Sequence, residues 1–108
     1  NTILYVDYVV SNIIDTLENS KLPYVFIYLS DHGESLLEND RVFHGMPPGI
    51  TLPEEQAHIP LLIKASIPIN IIKKDEYKQQ DVYDTILDLL SIEVGLLKKD
   101  KVFIEKIK

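Results

Sequence analysis

Tyr24-Val25-Phe26-Ile27-Tyr28-Leu29 is a continuous apolar run, aromatic and β-branched, and it leads straight into Ser30-Asp31-His32-Gly33-Glu34-Ser35. A run without polar alternation predicts a strand covered on both faces, as in a parallel sheet flanked by helices. Upstream, Tyr5, Val6, Val9, Val10, Ile13, Ile14 and Leu17 recur at helical spacing, with Asp7, Ser11, Asn12, Asp15 and Glu18 between them. This predicts an amphipathic helix over 3–18 with one buried stripe, ended before Pro23. Downstream, residues 36–56 are polar and rich in Pro and Gly, a segment of ~20 residues and too long for an ordinary connector. A second apolar strand is expected at 58–65, then a connector at 66–78. Asp81 reads as an N-cap with Asp84 in the first turn, and Val82, Tyr83, Ile86, Leu87, Leu89 and Leu90 as the buried face of a second helix. The order helix, strand, long loop, strand, helix is a slice of a layered α/β architecture. Two strands do not make such a sheet, so further chain is expected to complete it.

The composition leaves a soluble, acidic domain. The chain has 108 residues, 45% hydrophobic and 26% charged, and a net charge of −6. An acidic balance argues against a general nucleic-acid binder, which needs a basic face. No apolar run approaches the ~18 residues of a membrane span. The start at Asn1 shows no secretory leader pattern and no Met, as expected of a cut chain. Without cysteine there is neither disulfide nor thiolate chemistry. The segment 94–108 holds five Lys against Asp100 and Glu105. It is expected to be a solvated terminal segment, a lipid-headgroup patch being the sharper alternative. Val102-Phe103-Ile104 reads as a short edge strand.

Asp31 and His32 stand where the first strand finishes, the place at which open α/β sheets put their ligand crevice. A carboxylate and a neutral imidazole suit zinc or manganese. Adjacent strand residues point to opposite faces, so the strand must end at this pair for both to reach one ion; Gly33 permits a sharp exit. On the residues alone, a turn-capping Asp31 and a partly buried His32 remain open. His44 and His58 complete the histidines of the chain, all within or beside the long loop. A loop folding back over the sheet edge would bring His44 to the same site. His58 opens the second strand and reads equally as a hydrogen-bonded structural residue. The spacings of 12 and 14 residues match no compact zinc module. Glu34 is a candidate to accept a proton or to hold a ligating imidazole from behind. No phosphate-binding glycine loop, nucleophile elbow or helical His-Glu-x-x-His is present.

The blocks Tyr28-Leu29-Ser30-Asp31-His32-Gly33-Glu34-Ser35-Leu36, Glu38-Asn39, Phe43-His44-Gly45 and Glu54-Glu55-Gln56-Ala57-His58-Ile59-Pro60 closely resemble the phosphoethanolamine transferases of the alkaline phosphatase and sulfatase superfamily. The helical lead-in at 1–9 is similar too, and the resemblance covers about residues 1–92. A bare Asp-His-Gly is shared with sulfatases and phosphoglycerol transferases. The Glu-Ser continuation and the Glu-x-Gln-x-His-x-Pro segment favour the phosphoethanolamine branch.

The resemblance implies that residues 1–108 are the C-terminal part of one layered α/β/α sulfatase-like catalytic domain with a mainly parallel central sheet. It implies a periplasmic domain on a Gram-negative inner membrane, anchored through segments outside this chain. A Thr nucleophile, also outside this chain, takes phosphoethanolamine from phosphatidylethanolamine and passes it to lipid A or another envelope acceptor. Zinc is held by a Glu and the Thr of the upstream chain together with Asp31 and His32. His44 lies in the pocket as the catalytic residue, touching the phosphoryl group or a further zinc. Glu34 and His58 are candidates to hold a ligating side chain from behind or to line the pocket. Leu37 departs from the family, which often has Gly there, and the family's frequent Cys residues are missing. Alternatives are a sulfatase-like hydrolase or phosphoglycerol transferase of the same superfamily, and a metal-binding or interaction domain without catalysis.

Overall fold

The structure is a computed structural model and describes residues 1–37, 40 and 42–108. The Glu38-Asn39 block of the resemblance lies outside the described residues. Two compact units are present: residues 1–25 with 65–108, and residues 26–64.

In the first unit, helix α1 (Thr2–Ser20) starts at Asn1, whose side chain accepts a hydrogen bond from the Ile3 N–H at 3.0 Å. It stops at Lys21, a left-handed residue at φ 59°, whose N–H donates to the Glu18 carbonyl. The helix is where the periodicity puts it, but its apolar stripe is not buried. Val10, Ile14 and Leu17 are half-buried, whereas Ile3, Leu4, Tyr5 and Tyr8 are exposed. Among the described residues, no layer covers the first two turns.

The core of this unit is made by the Lys-rich end of the chain. Val102, Phe103 and Ile104 are its buried apolar residues. Strand β5 (Ile69–Ile71) pairs antiparallel with β6 (Ile104–Lys106), Asn70 facing Glu105. The solvated tail expected from the lysine content is therefore corrected: three apolar residues between the lysines decide the packing, while Lys99–Lys101 form a 3-10 turn at a charged rim. There Lys99 donates to Asp88, whose carboxylate holds the exposed ammonium above the usual lysine value. Strand β5 falls in the stretch read as a connector, because three residues are too few to show a period.

Helix α3 (Asp81–Leu89) lies where its spacing puts it, but Asp81 is not its cap: Gln80 holds that position without a side-chain cap bond, and Asp81 is the first helical residue, in the first turn with Asp84. Its buried face differs from the one expected. Asp81, Asp84 and Thr85 are buried, and Tyr83, Ile86 and Leu90 are exposed. The polar face is buried because it anchors neighbouring chain. Lys74 Nζ lies 3.9 Å from Asp81, the Lys98 N–H donates to Asp84 at 2.9 Å, and the Phe103 N–H donates to Thr85 Oγ1 at 3.1 Å.

Strand β1 (Val25–Leu29) pairs with β4 (Leu61–Ala65), all but their outermost residues Val25 and Ala65 lying in the second unit. The Ser66 N–H donates to the Tyr24 carbonyl beside the entry of β1 and the exit of β4. The Gly33 N–H donates to the Gln56 carbonyl beyond the opposite ends. Bonds at these ends give the pair an antiparallel sense. The chain is α/β as read, but the parallel neighbours expected for β1 are not among the described residues. All five residues of β1 are half-buried rather than enclosed. The described residues of the long segment after β1 also carry regular elements. Strands β2 (Ser35–Leu36) and β3 (Val42–Phe43) pair antiparallel, and a short helix, α2 (Glu54–Ala57), precedes β4.

Candidate metal centre

Asp31 and His32 follow the last residue of β1 by two and three positions. The Asp31 carboxylate accepts the His32 backbone N–H at 3.0 Å, which swings it beside its neighbour's ring. His32 Nδ1 lies 2.9 Å from the Gly33 carbonyl oxygen. A carbonyl only accepts, so Nδ1 carries the hydrogen and the lone pair is on Nε2. That atom sits 3.7 Å from Asp31 Oδ2. Zinc bonds to nitrogen and carboxylate oxygen are about 2.0–2.2 Å long, so one ion fits between the two donors. Both side chains open to solvent, Asp31 more than His32. The donor set, the fixed tautomer and the spacing thus suit a divalent cation with coordination positions left for other groups.

The β2–β3 ladder brings in the second half of the site. Ser35 faces Phe43. One step further along this register, Glu34 stands opposite His44, and His44 Nδ1 is 3.4 Å from Glu34 Oε1. The rings of His32 and His44 stack, with centroids 3.8 Å apart and planes at 28°. Donor atoms of His32, Glu34 and His44 all lie within 4.8 Å of one another. His32 therefore belongs to two overlapping donor groups, one with Asp31 and one with Glu34 and His44.

His58 is placed differently. It caps α2, its Nδ1 lies 3.9 Å from Glu54 on the same helix, and its side chain is exposed. Among the described residues it does not join the donor group around His32. Gln56, to which sequence reasoning assigns no role, is buried beside the site. Its side chain donates to Ser35 Oγ and accepts the Gly45 N–H, both at 2.8 Å. The only sequence signal for it is its place in the Glu-x-Gln-x-His-x-Pro string.

The fold and this donor group define an α/β domain with a candidate cation site just beyond β1. The chain belongs to the sulfatase family, whose model, described as Sulfatase, matches residues 1–92. It is 52% identical over 68 residues to the phosphoethanolamine transferase EptA of Helicobacter pylori (strain ATCC 700392 / 26695), covering 63% of this chain and 13% of that protein. It is 35% identical over 63 residues to the Kdo(2)-lipid A phosphoethanolamine 7''-transferase of Escherichia coli (strain K12), covering 58% of this chain and 10% of the other. The crystal structure of the C-terminal periplasmic domain of phosphoethanolamine transferase EptC from Campylobacter jejuni superimposes with a TM-score of 0.75 at 32% identity. That match covers 94% of this chain and 34% of the EptC chain. The resemblance read from the motifs is borne out. The chain spans only about an eighth of the Helicobacter relative it matches.

Proposed function

We propose that residues 1–108 are part of the catalytic domain of a zinc-dependent phosphoethanolamine transferase. It takes phosphoethanolamine from phosphatidylethanolamine and passes it to lipid A or another envelope acceptor, on the periplasmic side of a Gram-negative inner membrane. One observation carries the reading: Asp31 Oδ2 and His32 Nε2 converge at the end of β1, in a chain whose relatives are named for this transfer.

Asp31 and His32 are the residues of this chain that would hold zinc. When bound, the ion activates the nucleophile and polarises the phosphoryl oxygen. Phosphoryl transfer needs positioning and charge stabilisation more than covalent help. Glu34 orients the His44 ring through Nδ1. With Nδ1–H given to Glu34, the neutral His44 ring offers Nε2 as an acceptor for a proton, and only the doubly protonated ring would donate Nε2–H to a phosphoryl oxygen or to the leaving alkoxide. The nucleophile, a Thr in the resembled family, and the membrane anchor are supplied from outside residues 1–108.

The test uses the intact protein that contains this chain. Asp31→Ala and His32→Ala should each lower zinc content, measured by mass spectrometry of the metal. Each should also lower phosphoethanolamine transfer by more than the roughly 10–100-fold typical of an outer-shell loss. Full transfer with unchanged zinc would reject the ligand role. Hydrolysis of a sulfate ester in place of transfer would move the protein to the hydrolase branch.

A further inference from the structure

Gln56 touches the flank of every member of the His32–Glu34–His44 group. Its backbone carbonyl accepts the Gly33 N–H at 2.8 Å, next to His32. Its side-chain nitrogen donates to Ser35 Oγ at 2.8 Å, next to Glu34. Its side-chain oxygen accepts the Gly45 N–H at 2.8 Å, next to His44. The amide has one orientation that works, because the Gly45 N–H only donates and must meet the oxygen, leaving the nitrogen to face Ser35. Gln56 is 2% exposed and Ser35 is fully buried, so water does not substitute for either bond. Glutamate of the same length lacks the donor, and methionine lacks both groups.

We propose that Gln56 is a positioning residue: it pins the β1 exit, the start of β2 and the turn after β3 to one side chain and so holds His44 against His32 and Glu34. The two-residue ladder between β2 and β3 is too short to do this alone, since an isolated pair of such strands is marginal in water. The catalytic consequence rests on the transferase reading above; the positioning itself does not. Gln56 touches no reacting atom and acts through His44.

The test compares wild type, Gln56→Met, His44→Ala and the double variant in the intact protein. Amide hydrogen exchange at Gly45 should accelerate at least about 10-fold in Gln56→Met, while the β5–β6 amides keep their protection. The rate constant kcat should fall about 10–100-fold, as for an outer-shell residue, with KM moved less. In the His44→Ala background, Gln56→Met should cost under about 3-fold more, because coupled residues are not additive. Should Gln56→Met not fold, Ser35→Ala removes one of the bonds and should give a smaller loss with the same coupling to His44. Unchanged exchange at Gly45, or an equal cost in both backgrounds, would overturn the proposal. If the protein shows no transfer with Asp31 and His32 intact, the transferase reading fails separately. Gly45 exchange and the affinity for added Zn²⁺, compared across the same four proteins, then decide the role of Gln56.

Discussion

A Cβ added to Gly33 would sit 2.0 Å from the Glu55 carbonyl oxygen and 3.3 Å from the Gln56 Cα. The sequence suggests Gly33 for a sharp backbone exit; the structure requires it because the backbone before β4 passes directly against it. Backbone atoms cannot turn aside as a side chain can. Gly33→Ala is therefore expected to destabilise the intact protein by about 1–3 kcal/mol, the usual range for overpacking, and to lower its zinc content, both read from denaturant unfolding and metal analysis. An unchanged midpoint would mean that this approach relaxes freely. Leu37 explains a departure from the resembled family in the same terms. It is held at φ 77°, a region that costs a branched residue about 1–2 kcal/mol and glycine nothing, and a glycine is what the family often has there. Of the donor residues, Asp31 and His32 are legible because they end a strongly patterned strand. His44 is visible from its place in the long loop and, more sharply, through the motif. The pairing of Glu34 with His44 depends on a register two residues long, which leaves no period in the sequence.

At the scale of elements, long periodic segments were readable and short ones were not. Helices α1 and α3 and strand β1 lie where their spacing puts them, while β2, β3, β5 and α2 are each four residues or fewer. The terminal segment is the instructive case. Its lysine count suggests a solvated tail, yet Phe103 and Ile104 are fully buried. Phe103 meets Tyr77 at 5.2 Å between ring centroids, and its N–H is tied to Thr85. Composition averages over such a segment, whereas packing is decided by a few apolar residues within it. Phe103→Ala is expected to cost about 3–5 kcal/mol in the intact protein, the range for removing a buried aromatic ring. Urea unfolding measures this, and a loss below 1 kcal/mol, within the range of surface changes, would show that the ring is not a core element.

At the scale of the molecule, large apolar side chains stand open along α1. Ile3, Leu4, Tyr5 and Tyr8 of α1 are each at least 65% exposed. Single exposed apolar residues are ordinary, but a row along one helix marks a face that something covers. In the EptC periplasmic domain the matched region is 34% of the chain, which leaves ample partner surface within one domain. The exposed row on α1 and the half-buried β1 are thus two faces open to covering chain. Residues 1–108 produced alone are expected to bind a hydrophobic dye strongly, to self-associate and to unfold without a sharp transition. Joined to the remaining domain, the same residues should lose most of that dye binding and unfold cooperatively. Replacing Leu4 and Tyr8 by Gln should improve solubility of the isolated segment but weaken the joined domain, because only there is the row buried. A monomeric, sharply unfolding 1–108 that is indifferent to both substitutions would show that this face needs no cover.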